Sequence, residues 1–139
     1  MKLQIKSIIT TLVVSLTLTA CASVGEDYTK RLLVSETLTI AAGAKTAVVE
    51  YYEKNGSLPS SNAQAGLPEP NELSSRAMDS LTISSGGEII VRMSDQVNAG
   101  AELKHTPVPP TSPSEQWSWK CQPNNEKMES RWLPPQCRE

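Results

Sequence analysis

From Glu26 to Asn55 the apolar residues return at helical spacing: Val34, Leu38, Ala41, Val48 and Tyr52 form one stripe, and Leu33, Ile40, Ala44, Ala47 and Tyr51 a flanking one. Two adjoining stripes predict one amphipathic helix with a wide buried face. On its outer side Glu26 and Lys30, Asp27 and Arg31, and Glu50 and Lys54 each set an acid four residues before a base. That is the favourable order, worth about 0.2–0.5 kcal/mol per pair. Ser23 with Glu26 reads as a capping box that starts the helix, and Asn55-Gly56 followed by Pro59 reads as its end. About 30 residues at a rise of about 1.5 Å make a rod of about 45 Å.

Past the helix the pattern changes. Ser57 to Pro70 is rich in Pro, Ser, Asn and Gly and predicts a long connecting loop. From Arg76 the apolar period falls to two. Leu81-Thr82-Ile83, a Ser-Ser-Gly-Gly turn and Glu88 to Met93 form a hairpin pattern in which Ile89, Val91 and Met93 share the face toward the helix. A third strand is predicted around Leu103 to Thr106, stopped by Pro107 and the prolines at 109, 110 and 113, because proline has no N–H to give a ladder. Gln116 to Cys121 is the fourth, with Trp117 and Trp119 on one face. The predicted fold class is therefore α+β: a long N-terminal amphipathic helix packed on a roughly four-stranded antiparallel sheet.

The start of the chain has another character. Lys2 and Lys6 precede an apolar run from Ile8 to Leu18 that is shorter than the roughly 20 residues a membrane span needs, which is the form of a secretory signal. Leu18-Thr19-Ala20-Cys21 then matches the bacterial lipobox, at which the cysteine sulfur receives diacylglycerol and the chain is cut before it. The expected organisation is a signal peptide over 1–20, a lipidated tether over 21–25 and a folded domain over 26–139. Several acyl chains on Cys21 make a stable anchor, since each buried methylene contributes about 0.8 kcal/mol. Ala22 is not the aspartate that in many Gram-negative bacteria retains lipoproteins in the inner membrane, so by resemblance to such proteins the outer membrane is expected.

Loss of the signal would remove two lysines and no acid, leaving 11 basic against 15 acidic residues and a net charge near −4. A negative balance argues against a nucleic-acid partner held by bulk electrostatics. Export also predicts that Cys121 and Cys137 form a disulfide, closing a loop of about 15 residues that adds about 3 kcal/mol of stability. A zinc site from these two cysteines and His105 is the competing arrangement. His105 is the single histidine, so no catalytic triad or repeated histidine site has a signature, and no enzyme, cofactor or small-molecule substrate is expected. Glu50 and Glu53 read as solvated helix charges. Trp117 and Trp119, two apart, either fill the edge of a small core or stack a ligand. Within the cysteine loop, Trp132 and Leu133 are the expected contacts with the body, and Lys127, Arg131 and Trp132 are the candidate binding surface.

In order along the chain these residues resemble the type IV pilins of Gram-negative bacteria. Asp27-Tyr28-Thr29, Val34-Ser35-Glu36, Ala41 to Val48, Glu50-Tyr51-Tyr52 and Asn55-Gly56-Ser57 are similar to the exposed half of the pilin spine helix. Asn62-Ala63 and Gly66-Leu67-Pro68 resemble the helix-to-sheet loop, and Gly86-Gly87, Trp119-Lys120-Cys121 and Leu133-Pro134-Pro135-Gln136-Cys137 resemble the sheet and its disulfide loop. The departure is at the start, where pilins carry a very apolar half-helix cut after glycine and this chain carries a lipoprotein signal. The resemblance implies a pilin head moved onto a lipid anchor, without ordinary polymerisation. It further implies protein contacts with pilus subunits, the secretin or assembly proteins, or a role in cell adhesion. The alternatives are a pilin decoy that occupies pilin-binding sites and alters pilus assembly or phage reception, and a DNA-uptake receptor.

Overall fold

The computed structural model describes the backbone of residues 2–138 and the side chains of residues 25–138. The order of elements is one helix, α1 (Lys2–Asn55), then four strands: β1 (Met78–Ser84), β2 (Glu88–Met93), β3 (Glu102–Val108) and β4 (Ser118–Pro123). Short 3-10 turns fill the connections. The strands pair antiparallel in sequence order, so the sheet is a simple meander with β1 and β4 at its edges.

The end of α1 falls where the Asn55-Gly56 signal puts it, with Gly56 at φ 70° and its N–H donating to the Tyr52 carbonyl at 2.8 Å. Its start does not. Helix runs unbroken through Ser23 and Glu26, because no proline interrupts the preceding segment, and the capping box starts nothing. Cys21 and the lipobox lie outside the residues whose side chains are described.

One stripe of α1 meets the sheet: Leu33, Val34, Thr37, Ala41, Ala44 and Val48 are all buried, at the alternating three- and four-residue spacing of a helix face. Thr37 was absent from the expected stripe. It is tolerated there because its hydroxyl donates back to the Val34 carbonyl at 2.7 Å, leaving its methyl for the core. Opposite, Leu81 and Ile83 of β1, Ile89, Val91 and Met93 of β2, Leu103 and His105 of β3 and Cys121 of β4 point inward. Fully burying an aliphatic side chain of this size contributes about 1.5–3 kcal/mol, which is how a core without phenylalanine holds.

The hairpin from β1 to β2 forms as its glycine turn predicts, with Gly86 and Gly87 at φ 79° and 69°. Gly87 has a second reason to lack a side chain: a Cβ there would come within 3.1 Å of Val48 on α1 and Leu58 in the connecting loop. Two strand boundaries differ from expectation. β3 continues through Pro107, which pairs with Trp119 of β4, because β2 ends its pairing at His105 and leaves β3 with a neighbour on one side only. β4 begins at Ser118 and runs to Pro123, later at both ends than the expected Gln116 to Cys121.

The loop from α1 to β1 is held down by Asn62, which is 5 % exposed. Its amide donates to the carbonyls of Pro68 and Leu81, both at 2.9 Å, and its oxygen accepts the Ile83 N–H at 2.6 Å. One side chain thus satisfies an outward donor and acceptor of edge strand β1, closing part of an edge that would otherwise be open to another strand.

Candidate functional site

The segment from Cys121 to Cys137 is closed by the disulfide between them. The sulfurs that a zinc site would need are therefore joined to each other, and His105 is the register partner of Cys121 across the ladder. Among the described residues no group of three or more His, Cys, Asp or Glu side chains converges.

Two anchors fix this segment to the body. At one, α1 presents Asp27, Lys30 and Arg31, which the helical repeat brings to the same side. Trp132 is 2 % exposed, and its indole N–H donates to the Asp27 carboxylate at 3.0 Å. Lys30 sits 4.5 Å over the indole centroid, and the Arg31 guanidinium donates to the Arg131 carbonyl at 2.6 Å. Arg131 itself lies 3.5 Å from Asp27 and 2.7 Å from Glu129. Asp27 is thus turned toward the C-terminal loop rather than to Arg31, because the buried indole is a partner that a neighbour on the same exposed helix face cannot match. Of the three expected helix pairs, Glu26 and Lys30 close at 2.9 Å; Glu50 and Lys54 do not appear among the ion pairs of the described residues.

The second anchor is at the other side of the loop. Met128 is buried, the Asn98 amide donates to the Lys127 carbonyl at 2.8 Å, and Asn125 accepts the Glu102 N–H at 3.3 Å while donating to the Gly100 carbonyl at 3.0 Å. The Lys127 ammonium donates to the Ala99 carbonyl at 3.3 Å.

The three residues expected to form a binding surface therefore have separate neighbours. Lys127 and Arg131 are exposed, at different anchors, and Trp132 is turned inward as the loop's main contact with α1. Leu133, 1 % exposed, is also turned inward. What the loop offers outward is a polar surface stapled by the disulfide.

Trp117 and Trp119 stand apart from that loop, against α1. The Tyr52 and Trp117 rings meet edge to face with centroids 5.1 Å apart, and the Lys45 ammonium lies 5.4 Å from the centroid of Trp119. Burial lowers the Lys45 pKa from its ordinary value. His105 is 1 % exposed with neither ring nitrogen hydrogen-bonded among the described residues, and its pKa is lowered to about 4, first by burial and then by the Lys45 charge. The alternation of β3 makes residue 105 an inward position, but no feature of the sequence says that the imidazole would have no partner.

Comparison with known proteins gives one consistent result. The family model for pilin, the bacterial filament protein, matches residues 33–138. The chain is 32 % identical over 117 residues to the fimbrial protein EcpC of Eikenella corrodens, covering 81 % of this chain and 73 % of that one. It is 27 % identical over 131 residues to the type IV major pilin protein PilE of Neisseria gonorrhoeae, covering 82 % and 78 %. A fimbrial protein of Neisseria meningitidis serogroup A is 36 % identical over 73 residues, and there the match spans 52 % of this chain and 43 % of the relative. The chain thus spans less than half the length of that meningococcal protein.

Proposed function

This chain belongs to the type IV pilin family, and on that premise we propose that it is a lipid-anchored member that displays a pilin head at the outer membrane. A pilin-family protein is a structural, pilus-related component of the cell envelope or surface, and this one acts through contacts with pilus subunits, the secretin or assembly proteins, or through cell adhesion. One combination carries the reading: Leu18-Thr19-Ala20-Cys21 stands directly ahead of a chain that keeps the family's spine helix, antiparallel sheet and C-terminal disulfide. Mass spectrometry of the protein from its own envelope tests it. The expected product begins at Cys21 and carries acyl groups on that residue, and an unmodified Cys21 would refute the anchor.

A second reading is the decoy, favoured by Tyr28 and Leu32, which are 62 % and 53 % exposed one helical turn apart on α1. A tethered copy presenting such a face occupies sites that pilus subunits would otherwise fill. Expression in a piliated host separates the two readings, because a decoy lowers twitching or phage sensitivity and a support or adhesion factor leaves both unchanged.

A further inference from the structure

Between α1 and the start of β4 lies an open groove of about 240 Å³, lined by Lys45, Thr46, Val49, Glu50, Trp117 and Trp119. We propose that this groove binds a sugar ring, a hexopyranoside of a surface glycan.

The lining sets the chemistry. Trp119 is an inward residue of β4, half-buried and packed on the core, while Trp117 precedes the strand and is held by its edge-to-face contact with Tyr52. Both indoles line the groove, Trp119 with the Lys45 ammonium 5.4 Å from its ring centroid. Facing them, α1 supplies polar groups of both kinds: the Lys45 ammonium can only donate, and the Glu50 carboxylate can only accept. Glu50 makes no ion pair among the described residues and is exposed, so its oxygens are open to a ligand. The Thr46 hydroxyl, already donating to the Ala42 carbonyl at 3.2 Å, keeps its acceptor capacity.

A ligand for this surface has an apolar face to lay on indole and a rim of groups that both donate and accept. It carries no net charge, since the groove offers one cation and one anion. A pyranose has that description: its axial C–H bonds make the face, and its hydroxyls make the rim. A purely apolar ligand would leave Lys45 and Glu50 desolvated without partners, which is most costly for charged groups. An anionic ligand would meet Glu50. The volume lies below the roughly 300–1,000 Å³ typical of sites for drug-sized molecules, in keeping with a single ring. The inference does not depend on the lipid anchor.

The test uses the full chain in a detergent without a sugar headgroup and the methyl β-glycosides of glucose, galactose, N-acetylglucosamine and N-acetylgalactosamine. Saturation-transfer NMR is expected to show transfer from protein to the ring C–H protons of at least one of the four, with an affinity that falls about tenfold in Trp117→Ala. Trp117 lies outside the sheet, so this variant keeps the fold; Glu50→Gln, a change at an exposed position, serves as the second and is also expected to weaken binding. Absence of transfer to all four glycosides overturns the proposal, as does transfer that is unchanged in both variants. Binding of a proline-rich peptide in the groove with no glycoside binding would also overturn it.

Discussion

Acid should destabilise this fold through His105. The imidazole is 1 % exposed, has no hydrogen-bond partner for either nitrogen and faces Lys45, so the folded protein resists protonating it and its pKa falls to about 4. In the unfolded chain the same group takes a proton near pH 6.5. Because the folded pKa is the lower one, the unfolded state binds the proton first as pH drops. Stability is complete above about pH 6.5 and is lost progressively as pH falls toward 4. A gap of about 2.5 pK units corresponds to about 3.4 kcal/mol once both states are protonated, of which about 2 kcal/mol is gone by pH 5. For a domain of this size that is a large share of a total of about 5–15 kcal/mol. The assay is urea unfolding followed by the fluorescence of the three tryptophans, at pH 7.5 and at pH 5. In His105→Leu, which removes the titrating group, the fall between these two conditions should be smaller by about 2 kcal/mol. Since His105 is the single histidine, its ring proton resonance also reports the folded pKa directly. An equal fall in wild type and His105→Leu, or a resonance titrating near pH 6.5, would refute the reasoning.

Two further outcomes follow from the packing. Replacing Cys121 and Cys137 together by Ala should cost about 3 kcal/mol, the loop-closure entropy of a bridge spanning 16 positions, and should speed amide exchange between 121 and 137; unchanged urea midpoints would show that the two anchors alone hold the loop. Asn62→Ala strands the Ile83 N–H and the Leu81 carbonyl at the edge of β1, and thermal unfolding should report a loss of about 2–4 kcal/mol, with a loss under 0.5 kcal/mol excluding the edge-closing role.

How much of this was legible beforehand depends on the range of the interaction. The Gly86-Gly87 turn, the inward row of Ile89, Val91 and Met93 and the part of the α1 stripes formed by Leu33, Val34, Ala41, Ala44 and Val48 were readable from the periods of helix and strand, whereas Leu38, Ile40, Ala47, Tyr51 and Tyr52 of those stripes are only half-buried. The disulfide was readable from the expectation of export, and the family from the order of short matches. The boundaries that moved did so for tertiary reasons: β3 passes Pro107 only because β2 ends first, a fact belonging to the sheet and not to the segment. The candidate site shows the same division. Trp132 was expected both to touch the body and to bind a partner, and a side chain 2 % exposed does the first.

The partner of that indole explains why local rules failed there. Asp27 had a base four residues ahead of it, and the helical rule assigns such a pair about 0.2–0.5 kcal/mol between solvated groups. A hydrogen bond from a buried donor to a charged acceptor is worth about 1.5–3 kcal/mol, and an indole N–H enclosed by the fold has no water to fall back on. The stronger interaction joins residues 105 positions apart and displaces the weaker one four apart, while Arg31, released from Asp27, takes the Arg131 carbonyl instead. The outcome ties the disulfide loop to the N-terminal part of the described helix. The loop's exposed surface is therefore fixed to the helix and the sheet together.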